Sequence, residues 1–259
     1  MGSAAVLTKD LAERRWSATA LGVILAAFTV AALAISAGLG ETITELTEGF
    51  PEALTTFMGG DVPGGYVVGE VFNLIAPLGL IGYAVLTGAR AIAGEEDAGT
   101  MDLLAAQPIT RRRILAAKAA GLAAALLTAV VLFGAAAMVS SALFDTGLTV
   151  GAVFATCVHL FLLAIAFGTL ALAVGAATGN PGLSAGAAGA VAAISYITNA
   201  MLPLAGLDGW ARLSPWHYYA GSDPLRNGLH AGHLTVLVVL TAAALGAASH
   251  IFEHRDLKG

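Results

Sequence analysis

Charge is what this sequence has least of. Only 11% of its 259 residues are Asp, Glu, Lys or Arg, against about 25% in a soluble domain. Apolar residues make up 58%, and mean hydropathy is +0.83. That balance excludes an ordinary soluble domain and indicates an integral membrane protein. The net charge of −5 says little, because membrane proteins sort charge by side. Cysteine is nearly absent. Cys157 stands alone in an apolar run, so no intramolecular disulfide can form and redox compartment is not indicated. No G-x-x-x-x-G-K-[ST] run occurs, so the phosphate-cradling loop of an ATPase is missing. No His/Cys cluster at structural-metal spacing and no nucleophile constellation is visible, so any ATP chemistry must belong to another subunit.

What is present is apolar sequence in blocks. Six runs, near 18–39, 67–89, 114–143, 151–175, 183–204 and 233–252, reach the roughly 20 residues that a helical span needs. No Pro/Ser-rich linker divides them and no internal repeat is convincing. The expected fold is all-α: one polytopic membrane domain over 1–259 with six transmembrane helices. The middle of every span lacks Asp, Glu, Lys and Arg. Glu70 is near the outer end of span 2, His159 lies in span 4, and His250 is near the inner end of span 6. A secondary transporter usually keeps ionisable groups inside its spans to bind a coupling ion. Proton coupling is therefore poorly supported, and energy for uphill movement is expected from outside the membrane.

The basic residues give the orientation. With a cytoplasmic N-terminus, Lys9, Arg14, Arg15, Arg90, Arg111, Arg112, Arg113, Lys118, Arg255 and Lys258 lie inside, and only Arg212 and Arg226 outside. This is a strong positive-inside bias. It predicts cytoplasmic termini and a cytoplasmic 90–113 stretch. In 1–16, Leu7 and Leu11 fall one helical turn apart, which predicts a short interfacial helix; a frayed tail is the alternative. A cleaved signal peptide is disfavoured because the apolar run and its charged lead-in are both long. The outer loop 40–66 is acidic. The outer segment 205–232 carries Trp210, Trp216, Tyr218 and Tyr219, which suit an interfacial aromatic belt. Its Pro, Gly and Ser punctuation predicts a broken, partly re-entrant course.

Residues 94–118 read "GEEDAGTMDLLAAQPITRRRILAAK" and hold eight of the chain's 12 basic and 17 acidic residues. Glu95, Glu96 and Asp97 suit the first turn of a short helix, where carboxylates complement the dipole. Met101, Leu104 and Ala105 then share a face, with Leu103 beside it. Pro108 ends that helix, and Thr110 can N-cap the next. Arg111, Arg112 and Arg113 sit at the electrostatically wrong end of a helix. They are expected to serve anionic lipid headgroups or acidic groups of a partner. A plain loop obeying the positive-inside rule is the bland alternative.

This stretch resembles the first cytoplasmic loop of type-2 ATP-binding-cassette (ABC) permeases. Glu95, Asp97, Gly99, Thr100, Leu103, Leu104, Pro108, Thr110, Arg111 and Lys118 stand at the matching places, with Asp97 where Glu is commoner. Two further stretches resemble the same family: "LSPWHYYAGSDPLRNGL" before span 6 and the tail "FEHRDLKG". The resemblance implies the transmembrane subunit of an ATP-driven exporter in the plasma membrane, which dimerises, most simply with itself, and binds two ATPase subunits. ATP and Mg would be held by that partner and no cofactor by this chain. Nucleic acid is not an expected partner. Residues 95–107 would form a coupling helix, with Glu95, Asp97, Gly99, Thr100, Leu103, Leu104, Pro108 and Arg111 as coupling residues. Two other readings remain: a membrane anchor or scaffold that moves no solute, and a permease serving metal-enzyme maturation.

Spans 2 and 5 hold the candidates for a substrate path. Asn73 and Tyr83 lie on span 2; Ser195, Tyr196 and Asn199 lie on the outer half of span 5. The resemblance implies that these spans line a central cavity, and ordinary helix–helix contact is the alternative. Gly182 with Gly186, and Ala185 with Gly189, are small-residue pairs that let helices approach. His217, His230 and His233 invite a metal reading, but no Cys, Met or carboxylate at ligand spacing completes a site.

Overall fold

The computed structural model describes residues 2–47, 49–51, 65–101, 104 and 108–255. Leu103 and most of the 40–66 loop and 102–107 stretch lie outside them. The described residues are helical, with no strand. The helices are α1 (Gly2–Thr47), α2 (Gly65–Glu70), α3 (Ala76–Ala91), α4 (Ala93–Asp97), α5 (Arg111–Phe144), α6 (Val150–Thr178), α7 (Pro181–Leu204), α8 (Asp208–Ala211), α9 (His217–Ala220), α10 (Pro224–Asn227) and α11 (Ala231–His254). Six stretches are long and apolar enough to cross a membrane: Ala4–Gly38, Val67–Ala91, Arg111–Phe144, Val150–Thr178, Pro181–Leu204 and Ala231–His254. They are taken below as spans 1 to 6.

Local sequence explains where these helices begin and end. Thr110, Thr149, Asn180 and His230 each stand at an N-cap in extended geometry and accept a backbone N–H two or three residues into the helix. That satisfies one of the orphan donors of a helix start. Pro181 occupies the first turn of α7, where its missing N–H costs nothing. Gly179 ends α6 at φ +61°, a conformation that a side chain resists.

Span 2 contains a π turn, Val71–Ile75, joining α2 to α3. Pro77 accounts for it. Proline has no N–H, so a carbonyl one turn earlier loses its donor. The backbone widens, and the Ala76 N–H bonds to the Val71 carbonyl. In that five-residue register the Phe72 carbonyl faces Pro77 and has no backbone donor. The buried Tyr219 hydroxyl, from α9, donates to it instead. Tyr219→Phe should therefore lower stability by about 1–3 kcal/mol, the cost of a buried acceptor without a donor. Thermal unfolding in detergent measures it, and an unchanged melting temperature would mean that another donor reaches Phe72.

This contact alters the expectation for the outer segment. The 205–232 stretch is broken, as its punctuation predicts, into α8, α9 and α10. Trp216 and Tyr219, however, are buried in the main core with Phe72 and Phe133, so they are not belt residues. Of the four aromatics in this stretch, Trp210 alone is fully exposed, as a belt requires.

α6 is central: 67% of its apolar window is buried, against 17% for span 5 and 11% for span 6. Leu183, Val191, Ile194 and Ile197 of α7 and Val238 and Val239 of α11 are exposed. These faces suit lipid or a second chain. The small-residue pairs on α7 are open as well, since a Cβ at Gly186 or Gly189 would meet nothing within 4 Å. The tight helix crossing is elsewhere. A Cβ at Gly88 would lie 2.0 Å from the Gly168 carbonyl oxygen, which brings span 2 and span 4 into backbone contact.

Candidate coupling site

One end of the helix bundle carries most of the basic residues. Among the described residues it is built from the start of α1, residues 92–101, 104 and 108–110, the start of α5, the end of α6 and the end of α11. A small apolar core underlies it: Val6, Ile92, Met101, Leu104, Ile114, Leu115, Leu172, Ala176, Ala248 and Phe252.

The N-terminal residues differ from the separate interfacial helix expected over 1–16. They are helical but run without a break into span 1. Val6 and Asp10 are buried while Leu11 is exposed. The buried face is thus Val6, Asp10 and Arg14, offset from the Leu7/Leu11 face. Electrostatics selects it. Asp10 is held by Arg14 through two hydrogen bonds of 2.6 and 3.0 Å and by Lys118 at 3.2 Å. Gly121 makes room for it, because a Cβ there would lie 1.9 Å from Asp10 Oδ2.

Lys118 is the hub. Its Nζ donates to Glu95 Oε1 at 2.6 Å while reaching Asp10 on the other side. The lysine side chain is 5% exposed, Asp10 1% and Glu95 12%. Two acids and two bases therefore form a compact, nearly dry, neutral cluster, the form in which buried charge is tolerated. Glu95 also accepts from the Thr100 hydroxyl, and its carbonyl accepts the Thr100 N–H at 2.8 Å. Burial raises the Glu95 pKa, but the Lys118 and Thr100 hydrogen bonds and the Lys118 and Lys9 charges outweigh this and leave it lowered.

The helix expected over 95–107 is not unbroken. α4 stops at Asp97, and Gly99 follows at φ +66°. A second helical piece starts at Met101, where the Leu104 N–H bonds to the Thr100 carbonyl. Gly99 permits this corner because only glycine takes that φ freely. Asp97, Ala98 and Gly99 form the exposed tip, and Thr100 is half-buried behind it. Pro108 is exposed further along.

Leu104 is buried, although the sequence pattern suggests a face open to a partner. It is 7% exposed and packs in the chain's own core with Met101. Leu104→Arg should thus destabilise this end by placing an unpaired cation in an apolar site, on the order of several kcal/mol. The expected result is reduced yield and melting temperature of the permease on its own. Normal stability with loss of partner binding would instead make Leu104 a surface residue.

Arg111 and Arg112 bond within this chain. Arg111 Nη1 donates to the carbonyls of Phe252 at 2.9 Å and Arg255 at 2.7 Å. Arg112 Nη2 donates to Glu253 Oε2 at 2.8 Å. Arg113 is exposed. Glu96, expected only as a helix-start carboxylate, pairs with Arg255 of the tail motif. A cleft of about 490 Å³ opens beside the tip between Arg90 and Asp97 on one side and Pro181 and Gly182 on the other.

The five substrate-path candidates do not converge as one set. Ser195 is buried and bonds to Ser214 Oγ at 2.7 Å and the Trp216 N–H at 3.2 Å, so it anchors the outer segment. Tyr196 packs edge-on to Trp216, centroids 4.8 Å apart. The Tyr83 hydroxyl meets Ser17 Oγ of α1 at 3.1 Å. Asn73 sits half-buried in the π turn and Asn199 half-buried near the end of α7. His217, His230 and His233 do come together: the His233 ring lies 4.2 Å from that of His230 and 5.4 Å from that of His217. Burial, with the nearby Arg212 charge, lowers the His217 pKa. Among the described residues no three His, Cys, Asp or Glu side chains are placed to hold a metal.

Residues 4–257 match the family described as ABC-2 family transporter protein. No curated protein matches the chain.

Proposed function

Because the chain belongs to the ABC-2 transporter family, we propose that it works as one of two permease subunits in an ATP-driven exporter, with a separate pair of ATPase subunits. The chain is a multi-pass membrane permease subunit of an ABC transporter, and is not itself catalytic. ATP and Mg belong to the partner, in this reading, and this chain binds no cofactor. The charged end faces the cytoplasm of the plasma membrane with both termini, as the positive-inside bias argues.

The observation that carries the coupling role is the Asp10–Lys118–Glu95 cluster. It ties the segment before the exposed tip to span 1 and to span 3. A partner pressing on Asp97–Gly99 would then move those helices as one body instead of bending a loose loop. Outward transport of an amphipathic solute fits spans without fixed charge at mid-depth.

Affinity purification of the native complex tests this reading. The expected partner is a P-loop ATPase, and Ala98→Cys in a Cys157→Ser background should label only after permeabilisation. Glu95→Gln leaves Lys118 paired with Asp10 and keeps a hydrogen-bonding side chain, so it should still express and assemble at some cost in stability, yet lose most substrate-stimulated ATPase activity. A variant that hydrolyses and transports like wild type removes Glu95 from the coupling machinery. Recovery of a complex that moves no solute would favour a scaffold.

A further inference from the structure

Spans 2 and 3 are joined covalently to the coupling segment, but span 6 is last in sequence and has no such link. We propose that Arg255 is a positioning residue that joins span 6 to the coupling segment through Glu96, while Arg111 holds the same helix end from the other flank. The inference rests on the coupling role proposed above.

α11 packs one side along α6, and of its own residues only Leu237, Ala248 and Phe252 are buried. Its charged end is fixed from two sides. The last carbonyls of a helix have no intrahelical donor, and a cation there is favoured by the dipole. Arg111 supplies both, with hydrogen bonds to Phe252 and Arg255 carbonyls and its guanidinium 5.8 Å from the Phe252 ring centroid. The second tie is the Glu96–Arg255 ion pair. The Glu96 side chain is 1% exposed and that of Arg255 17%, so neither charge has water as an easy alternative. The pair is seated on the end of span 4. A Cβ at Gly179 would lie 2.5 Å from Glu96 Oε2 and 2.7 Å from Arg255 Nη1. Bare glycine is what lets the pair close there.

Glu96 immediately precedes the exposed tip and Arg111 follows it in sequence. Displacement of the tip therefore moves both grips on α11 together. A helix of 24 residues transmits such a shift over about 36 Å. At its far end the His233 ring lies 5.4 Å from His217 and 5.3 Å from Tyr218. The outer segment is thus reached through span 6.

The test uses the complex with its ATPase in proteoliposomes, in a Cys157→Ser background. One fluorophore is placed at Leu229→Cys, beside the outer end of span 6, and in a second protein at Leu143→Cys, at the outer end of span 3. Arg255→Gln and Glu96→Gln should reduce the nucleotide-dependent signal at 229 by about fivefold or more. The signal at 143 and ATP hydrolysis should persist. Arg255→Lys, which keeps the charge, should retain most of the 229 signal. The inference is overturned if the 229 signal survives Arg255→Gln, or if both signals fall equally, since the pair then only maintains the fold. It is also overturned if the Gln variants fail to assemble while Arg255→Lys assembles, because the pair then serves docking. A wild-type complex with no nucleotide-dependent change at either position defeats the exporter reading itself.

Discussion

Lys118→Met should lower the stability of the permease by about 3–5 kcal/mol, the usual cost of removing one partner from a buried ion pair. Asp10 and Glu95 would then share a nearly dry site with only Arg14 to balance two carboxylates. Methionine matches the length of the lysine stem, so lost packing contributes little. The decisive comparison is the double variant Glu95→Gln, Lys118→Met. It leaves Asp10 paired with Arg14 and no net charge in the site, and should recover most of the stability. Thermal and denaturant unfolding in detergent, followed by helix content, reads both. A single variant as stable as wild type would show that water already reaches the two carboxylates.

Gly88→Ala should be nearly as damaging for a different reason. The new methyl would fall 2.0 Å from the Gly168 carbonyl oxygen, and backbone cannot rotate away as a side chain can. Spans 2 and 4 must separate, which costs about 1–3 kcal/mol or more by overpacking. The opposing position is equally crowded: a Cβ at Gly168 would lie 3.0 Å from Leu122 Cδ2 and 3.1 Å from Ala84. Gly246→Ala is the control, since its Cβ meets nothing within 4 Å; there the exchange should be neutral or slightly stabilising. Equal melting temperatures for Gly88→Ala and Gly246→Ala would mean that the crossing is looser than described.

The two expected results mark where sequence reading succeeds and stops. Span positions were legible because apolar runs of this length have few alternatives. The run expected at 151–175 is the helix Val150–Thr178, and that expected at 233–252 is Ala231–His254. The Thr110 cap was legible because capping is a local matter of one side chain and the next three residues. The corner at Gly99 was missed because Glu95 to Gln107 has a plausible helical face, and a single glycine only weakens a helix. The position of Leu104 was missed because an amphipathic pattern tells which residues share a face, not what that face meets. Here it meets Val6 and Phe252, from the two far ends of the chain.

Composition and periodicity by themselves determined that this protein is helical, crosses the membrane six times, and concentrates its basic residues at one end. Those properties follow from the cost of exposing backbone and charge to lipid, which each segment meets alone. The sequence also carried the family, through short stretches whose order along the chain is retained. Only tertiary structure decided how the charges pair. Asp10, Glu95 and Lys118 are separated by long intervals, as are Glu96 and Arg255, and no periodicity relates them. Buried ions take whichever opposite charge the helix packing brings within reach, and that packing is set by close approaches at Gly88, Gly121 and Gly179. Which helices a moving segment can carry with it is therefore a property of the fold.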